Sequence, residues 1–304
     1  MSDALEKPFL DDNRPNLLNW AQAFRHPVVL AALGVSVLSA MDALIKNVAA
    51  RHHTFEIAFL RYAVGLIFAA AALAVIRPGW PTRESLIVNG SRSFIVALTA
   101  TCFFYALGAL PLAETITLSF LSPVFLAIFG VVLLREPIDR RIGLALIVGL
   151  LGMLVIVGPR LGTESYSPQA ALGALAALIS AVTYALAMTL LRARARHDPV
   201  VTIVFIQNIG PGLILLAPAI AVWRTPDAYD WWIFGLIGFS GVAGHLLLAM
   251  AFARAQAARL APLEYTALVW ATLFGFLFYG EVPAPYVLAG SALIIGAAFV
   301  AGKR

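Results

Sequence analysis

The chain has 304 residues, of which 61% are hydrophobic and only 12% charged, and its mean hydropathy is +0.89. Soluble domains carry about 45–50% apolar and about 25% charged residues, so this composition excludes a water-soluble core and leaves no length for a sizeable soluble domain. The net charge of +5 is accounted for by basic loops facing an anionic leaflet and calls for no nucleic-acid partner, while the single cysteine, Cys102, excludes a disulfide framework or a cysteine-rich metal site.

The first 25 residues are too polar for a cleavable signal peptide, whose apolar core would run about 7–15 residues, and they read as part of a cytoplasmic tail (1–27) with an interfacial stretch at Leu17–Phe24. Ten apolar runs follow, at about 28–50, 55–76, 86–110, 112–134, 142–158, 169–191, 200–222, 231–253, 261–280 and 285–302, each near the length that spans a bilayer. Residues 303–304 form a short cytoplasmic C-terminus. With both ends inside, the inner connections hold sixteen Lys or Arg, Arg92 counted among them, and the outer connections hold Arg51, Arg160 and Arg224. Cations stay on the cytoplasmic side during insertion, and one missed span would scramble this asymmetry.

In the first span Ser36, Ser39, Asp42 and Lys46 recur three, three and four residues apart, with Asn47 at the edge, which makes one polar stripe on a helix. Two readings fit: an Asp42–Lys46 pair that neutralises itself inside the bundle, or a stripe on a watery cavity where either charge meets substrate or Asp42 carries a proton. Arg61 opens the second span beside Tyr62, with Glu56 above it. It could snorkel to the interface or line a cavity. Aligning Gly65 with Gly212 places Arg61 on Asn208, next to Gln207, so the same position is polar in both halves.

The third span carries Tyr105 and the fourth Thr115, Ser119 and Ser122, followed by Pro123. Pro123 lacks an N–H and can bend its helix, so it is a hinge candidate, the alternative being a packing kink. In the sixth span Ser180 and Tyr184 occupy the place of the first-span stripe. In the seventh, Gly210-Pro211-Gly212 is the strongest expected break, a hinge or gate, with Pro218 beyond it. His245 lies in the eighth span among Gly238, Gly241 and Gly244, either as a helix–helix hydrogen-bonder or as a proton relay. The ninth span holds Glu264, Tyr265, Thr266, Trp270 and Thr272, and Glu264 is a further proton-coupling candidate. Gly143, Gly149 and Gly152 in the fifth span and Gly290 and Gly296 in the tenth suit close helix contact; a monomer is expected, with a dimer through these faces as the alternative.

The fourth and ninth spans share a pattern. At an offset of 145, Gly130 falls on Gly275, Phe125 on Trp270 and Glu136 on Glu281. Five spans per copy is an odd number, so the second copy (169–302) must enter the bilayer inverted relative to the first (28–158). The expected fold is all-α, ten transmembrane helices in two inverted five-helix repeats, an arrangement on which transporters build a site open to either side. No P-loop, His-Glu-x-x-His helix or Gly-x-Ser-x-Gly elbow occurs, and nothing pairs a nucleophile with a base. The expectation is therefore a non-enzymatic protein without metal or cofactor.

Leu-Ser-Pro-Val-Phe leading to Arg135-Glu136-Pro137, the Leu60-Arg61-Tyr62 opening of span two and Lys46 closing span one resemble the EamA-type drug/metabolite transporter superfamily over nearly all of 28–302. The resemblance implies ten helices, cytoplasmic termini and export of metabolites across the bacterial inner membrane; within the group the chain resembles the aromatic amino-acid exporter branch. Glu136 and Glu281 match the family's end-of-helix glutamates. The second copy departs from the first, with Leu268 in place of Pro123 and no cation matching Lys46.

The resulting expectation is a midplane cavity lined by spans one, two, four, six, seven and nine, with Ser39, Asp42, Lys46, Arg61, Tyr105, Ser119, Ser180, Tyr184, Gln207, Asn208, Tyr265 and Trp270 around it. Polar groups would hold a zwitterionic substrate and aromatics its side chain, an amino acid with a large or aromatic side chain fitting best. Phosphorylated substrates are disfavoured, since only Lys46 and Arg61 are in-span cations. An importer, a drug transporter and a passive channel are the alternatives.

Overall fold

A computed structural model describes residues 26–109, 118–119, 121–137, 139–157, 168–280, 282 and 285–302. Leu17–Phe24, Thr115, Phe120 and Glu281 lie outside the described residues. All regular structure among those described is helical: α1 Pro27–Ala49, α2 Thr54–Ile76, α3 Arg83–Ala109, α4 Ser122–Leu134, α5 Arg140–Val157, α6 Pro168–Arg194, α7 Val200–Ala221, α8 Ala228–Arg254, α9 Ala257–Glu264, α10 Thr266–Tyr279 and α11 Pro285–Gly302. Seven helical stretches are long and apolar enough to cross a membrane, the seventh being Ala257–Phe278, which joins α9 to α10. Taken as one pass, α9 and α10 bring the eleven helices to ten passes, and the chain is a multi-pass membrane protein.

Helix ends follow local chemistry. Pro27 starts α1, where the missing N–H costs nothing. The Asp227 carboxylate accepts the Asp230 N–H and caps α8. Arg135 ends α4 in the left-handed region at φ 53, and the next N–H, of Glu136, donates back to the Gly130 carbonyl at 3.0 Å.

The repeat relation is visible in the packing. The α1–α8 interface has its counterpart in α6–α3, and α2–α8 in α7–α3, while α2–α7 and α5–α11 each pair a helix with its own counterpart. These last two pairs decide the orientation. Along α2 and α7, Gly65 meets Asn208, Tyr62 meets Gly212 and Glu56 accepts the Arg224 N–H; along α5 and α11, Ala145 meets Ala297 and Gly152 meets Gly290. Both run antiparallel, as counterparts in an inverted repeat must.

Paired contacts also set the register. Leu38 packs on Gly244, and the counterpart positions Thr183 and Thr99 hydrogen-bond at 2.8 Å. Gly65 packs on Gly238, as Gly210 does on Ser93. All of these keep the offset of 145 seen between Gly130 and Gly275. The alignment of Gly65 with Gly212 is therefore corrected. Gly65 corresponds to Gly210, Arg61 to Ile206 and Tyr62 to Gln207. Two glycines flank Pro211, and sequence alone cannot choose between them; the close approach to Ser93 does.

Both copies interrupt the same pass. Leu121 forms a turn before α4, and Tyr265 forms one between α9 and α10. In the second copy the proline lies at Pro262, inside α9, where it removes the N–H that would reach Ala258. The Gly210-Pro211-Gly212 segment behaves differently from expectation, since α7 continues through both Pro211 and Pro218. Glycine at position 210 is required for contact: a Cβ there would collide with the Ser93 side chain.

Candidate functional site: a two-signed cavity between the halves

A cavity of about 290 Å³ lies between the repeats. Its wall contains Ser39, Asp42 and Lys46 of α1, Arg61 and Tyr62 of α2, Ser119 and Ser122 before and at the start of α4, Ser180 and Tyr184 of α6, Gln207 of α7, His245 of α8 and Glu264 of α9. Met41, Val96, Phe103, Phe104 and Met188 supply the apolar part. The counterpart pairs Tyr62–Gln207, Ser119–Glu264 and Ser122–Ala267 all reach this wall, so the interrupted passes deliver matching positions from both sides.

The α1 stripe faces the cavity because its period of three to four residues holds one helix face. Arg61 does not extend to an interface. It is 8% exposed, with Nε 3.3 Å from Met41 Sδ and its guanidinium 4.5 Å from the Tyr62 ring centroid, a cation–π contact. Glu264 is also buried and accepts the Tyr184 hydroxyl at 3.2 Å. His245 Nδ1 lies 2.7 Å from the Gly241 carbonyl; a carbonyl only accepts, so Nδ1 carries the hydrogen and donates within its own helix.

Several expected wall residues lie elsewhere. Tyr105 is 37% exposed and lines no part of the cavity. Asn208 is turned toward Gly65 and donates to Val204 O at 2.8 Å. Tyr265 is wholly buried in a separate cluster with Met153, Leu268 and Ile294, its ring against Gly149. Trp270 packs on the main core and stacks on Phe274. Pro123 sits in the first turn of α4, where proline is tolerated without a lost bond. An aromatic or amide in a span identifies itself by residue type but not by face, which is why these four were misplaced.

One functional-looking residue was assigned to the wrong setting. Arg92, counted with the inner-loop cations, lies within α3 and is 1% exposed. Nη2 donates to Gln207 Oε1 at 2.9 Å, and Nη1 points at Ala187 O at 3.4 Å. The signal was available in the sequence: Arg92 lies several residues inside an apolar run that continues to position 110.

At the two ends of the bundle, ionic clusters tie the halves together. On one face His52 Nε2 lies 2.9 Å from Asp230 Oδ2 and Nδ1 3.1 Å from Glu56 Oε1, while Arg51 Nη2 pairs with Asp230 Oδ1 at 2.6 Å. On the other face Glu136 accepts from Arg192 Nε at 3.0 Å and from the Ala257 N–H, at the start of α9, at 2.7 Å. Arg194 and Asn89 donate to Asp198 at 2.8 and 3.0 Å. Burial alone would raise the Asp198 carboxyl, but hydrogen bonds from Arg194, Asn89 and Ser85 outweigh it and hold it below the ordinary carboxylate range.

Two inverted helical halves around a small, internally charged cavity define a membrane transporter by architecture. The EamA-like transporter family matches the chain twice, at residues 26–158 and 171–302, and the chain belongs to that family. It is 32% identical over 274 residues to the pseudopaline exporter CntI of Pseudomonas aeruginosa (strain UCBPP-PA14), covering 88% of this chain and 93% of that one. It is 24% identical over 259 residues to an S-adenosylmethionine uptake transporter of Rickettsia bellii, covering 85% and 87%. A crystal structure with 22% sequence identity superposes with a TM-score of 0.79 over 90% of this chain and 97% of the other, a likeness of fold alone. The protein is a transporter, not an enzyme.

Proposed function

We propose that this transporter exports small amphipathic metabolites carrying an amino-acid-like zwitterion, those with large or aromatic side chains above all, from the cytoplasm across the bacterial inner membrane, with both termini cytoplasmic. The observation that carries the reading is a cavity whose wall holds basic and acidic side chains, Lys46 and Arg61 with Asp42 and Glu264, beside Phe103, Phe104 and Tyr184. A zwitterion is complementary to such a wall, offering an anion to the basic side chains and a cation to the acidic ones, and the ring-bearing surface suits an apolar side chain. Export rather than uptake agrees with the higher identity to the exporter, 32%, than to the uptake transporter, 24%. Domain-wise, residues 28–158 and 169–302 act as the two units that rock against each other, exposing the cavity to each side in turn.

The test is counterflow in proteoliposomes. Labelled phenylalanine should accumulate transiently and saturably in vesicles preloaded with unlabelled phenylalanine, and in everted membrane vesicles uptake should exceed that of vesicles lacking the protein. Absence of saturable counterflow with every large neutral amino acid would overturn the substrate class, and linear non-saturating flux would make the protein a channel.

A further inference from the structure

A cation fully enclosed in a membrane protein carries a large desolvation cost unless an anion or several acceptors answer it. Arg92 is answered only in part. Among the described residues no carboxylate lies within ion-pair distance of it, its Nε has no hydrogen-bond partner, and its two bonds go to neutral oxygens of Ala187 and Gln207. The Gln207 bond fixes the amide: guanidinium nitrogens only donate, so the amide oxygen must face Arg92 and the NH2 must face away. Gln207 itself lines the cavity, whereas Arg92 stands behind it. Pro211, four residues on, has no N–H for the Gln207 backbone carbonyl, so that carbonyl is also released from the helix ladder. Glu264, bonded to Tyr184, stands on the same wall.

Resting on the function proposed above, we infer that Gln207, oriented and polarised by the buried Arg92, is the subsite for the carboxylate of the transported molecule. Gln207 touches the substrate; Arg92 is a positioning residue that turns the amide donors into the cavity and supplies the compensating charge through them. The substrate carboxylate completes a neutralisation that the described residues leave unfinished. The class selected is carboxylates with an apolar body, and amines lacking a carboxylate gain nothing from this end of the cavity.

The experiment uses the purified full-length protein and three probes, L-phenylalanine, 3-phenylpropionate (no ammonium) and 2-phenylethylamine (no carboxylate), with affinity read from intrinsic tryptophan fluorescence. In Arg92→Gln, phenylalanine and phenylpropionate should each bind about tenfold more weakly or worse, with phenylethylamine within twofold of wild type. Gln207→Glu gives Arg92 a buried ion-pair partner, so folding is protected, yet it replaces donors by acceptors; it should lose phenylpropionate and hold or strengthen phenylethylamine. If wild type binds phenylalanine and both variants bind the carboxylate probes unchanged, or lose all three probes equally, the subsite assignment is overturned while the zwitterion reading stands. If wild type binds none of the three, the reading of the substrate falls and the subsite with it.

Discussion

At the residue scale, recognition depends on which ionisable side chains reach the cavity. The Ser39–Asp42–Lys46 stripe was legible in the sequence because helical periodicity alone puts those positions on one face, and an ionisable group inside a span has few reasons to be there. Arg92 was not legible in the same way, since its nearness to a basic loop disguised its depth. Asn208, Tyr265, Trp270 and Tyr105 show the opposite failure, where suitable chemistry on a span says nothing about direction. Lys46→Ala should reduce transport of phenylalanine about tenfold, with the melting temperature in detergent little changed, because Lys46 lines the cavity rather than the packed core. Unchanged counterflow would remove Lys46 from the site. A buried Glu264 bonded to Tyr184 makes Tyr184→Phe informative: it should alter amine-probe affinity more than carboxylate-probe affinity in the same fluorescence titration, and equal effects on both would remove Glu264 from amine recognition.

At the scale of elements, the connections between passes carry as much of the structure as the passes. Glu136, at the end of α4, holds Arg192 of α6 and the first N–H of α9 together. Glu136→Ala would leave Arg192 buried without its carboxylate, and the loss should be about 3–5 kcal/mol, read as a lower unfolding midpoint in detergent; Glu136→Gln should lose less, because a neutral acceptor remains. The family resemblance drew attention to Glu136, but its partners are more than fifty positions away in the chain and no spacing rule reaches them. The Gly149–Tyr265 contact joins α5 to the interruption between α9 and α10, and Gly149→Ala should cost about 1–3 kcal/mol through overpacking. Asp198 adds a pH dependence at the α6–α7 connection. Its carboxyl is held below the ordinary aspartate value of 3.8, so the folded state binds the proton less readily than the unfolded chain. The stabilisation is complete above that unfolded value and is lost as pH falls below it. Hydrogen exchange in 195–198 should therefore rise on acidification below about pH 4 relative to the intrinsic rate, and Asp198→Asn should remove that rise.

For the whole molecule, the inverted repeat was readable because the fourth and ninth passes share Gly130 and Gly275 in register, and an odd number of spans leaves no choice of orientation. The antiparallel courses of α2 against α7 and of α5 against α11 bear that out. What the chain did not reveal was the register of the second and seventh passes. Hydrophobic positions there repeat too uniformly to fix it, and only the mated contacts of Gly65 with Gly238 and Gly210 with Ser93 do so. Interruption of the same pass is hidden in the second copy, where the proline stands at Pro262 and Leu268 occupies the position opposite Pro123.

We propose that one cavity, enclosed by two opposed halves, faces each side of the membrane in turn. Ser180 lines it, and Cys102 is the only native cysteine, so Ser180→Cys in a Cys102→Ser background reports access directly. A membrane-impermeant maleimide should label it in right-side-out and in everted vesicles alike, with phenylalanine slowing both reactions. Labelling from one side only, or from neither, would contradict the account.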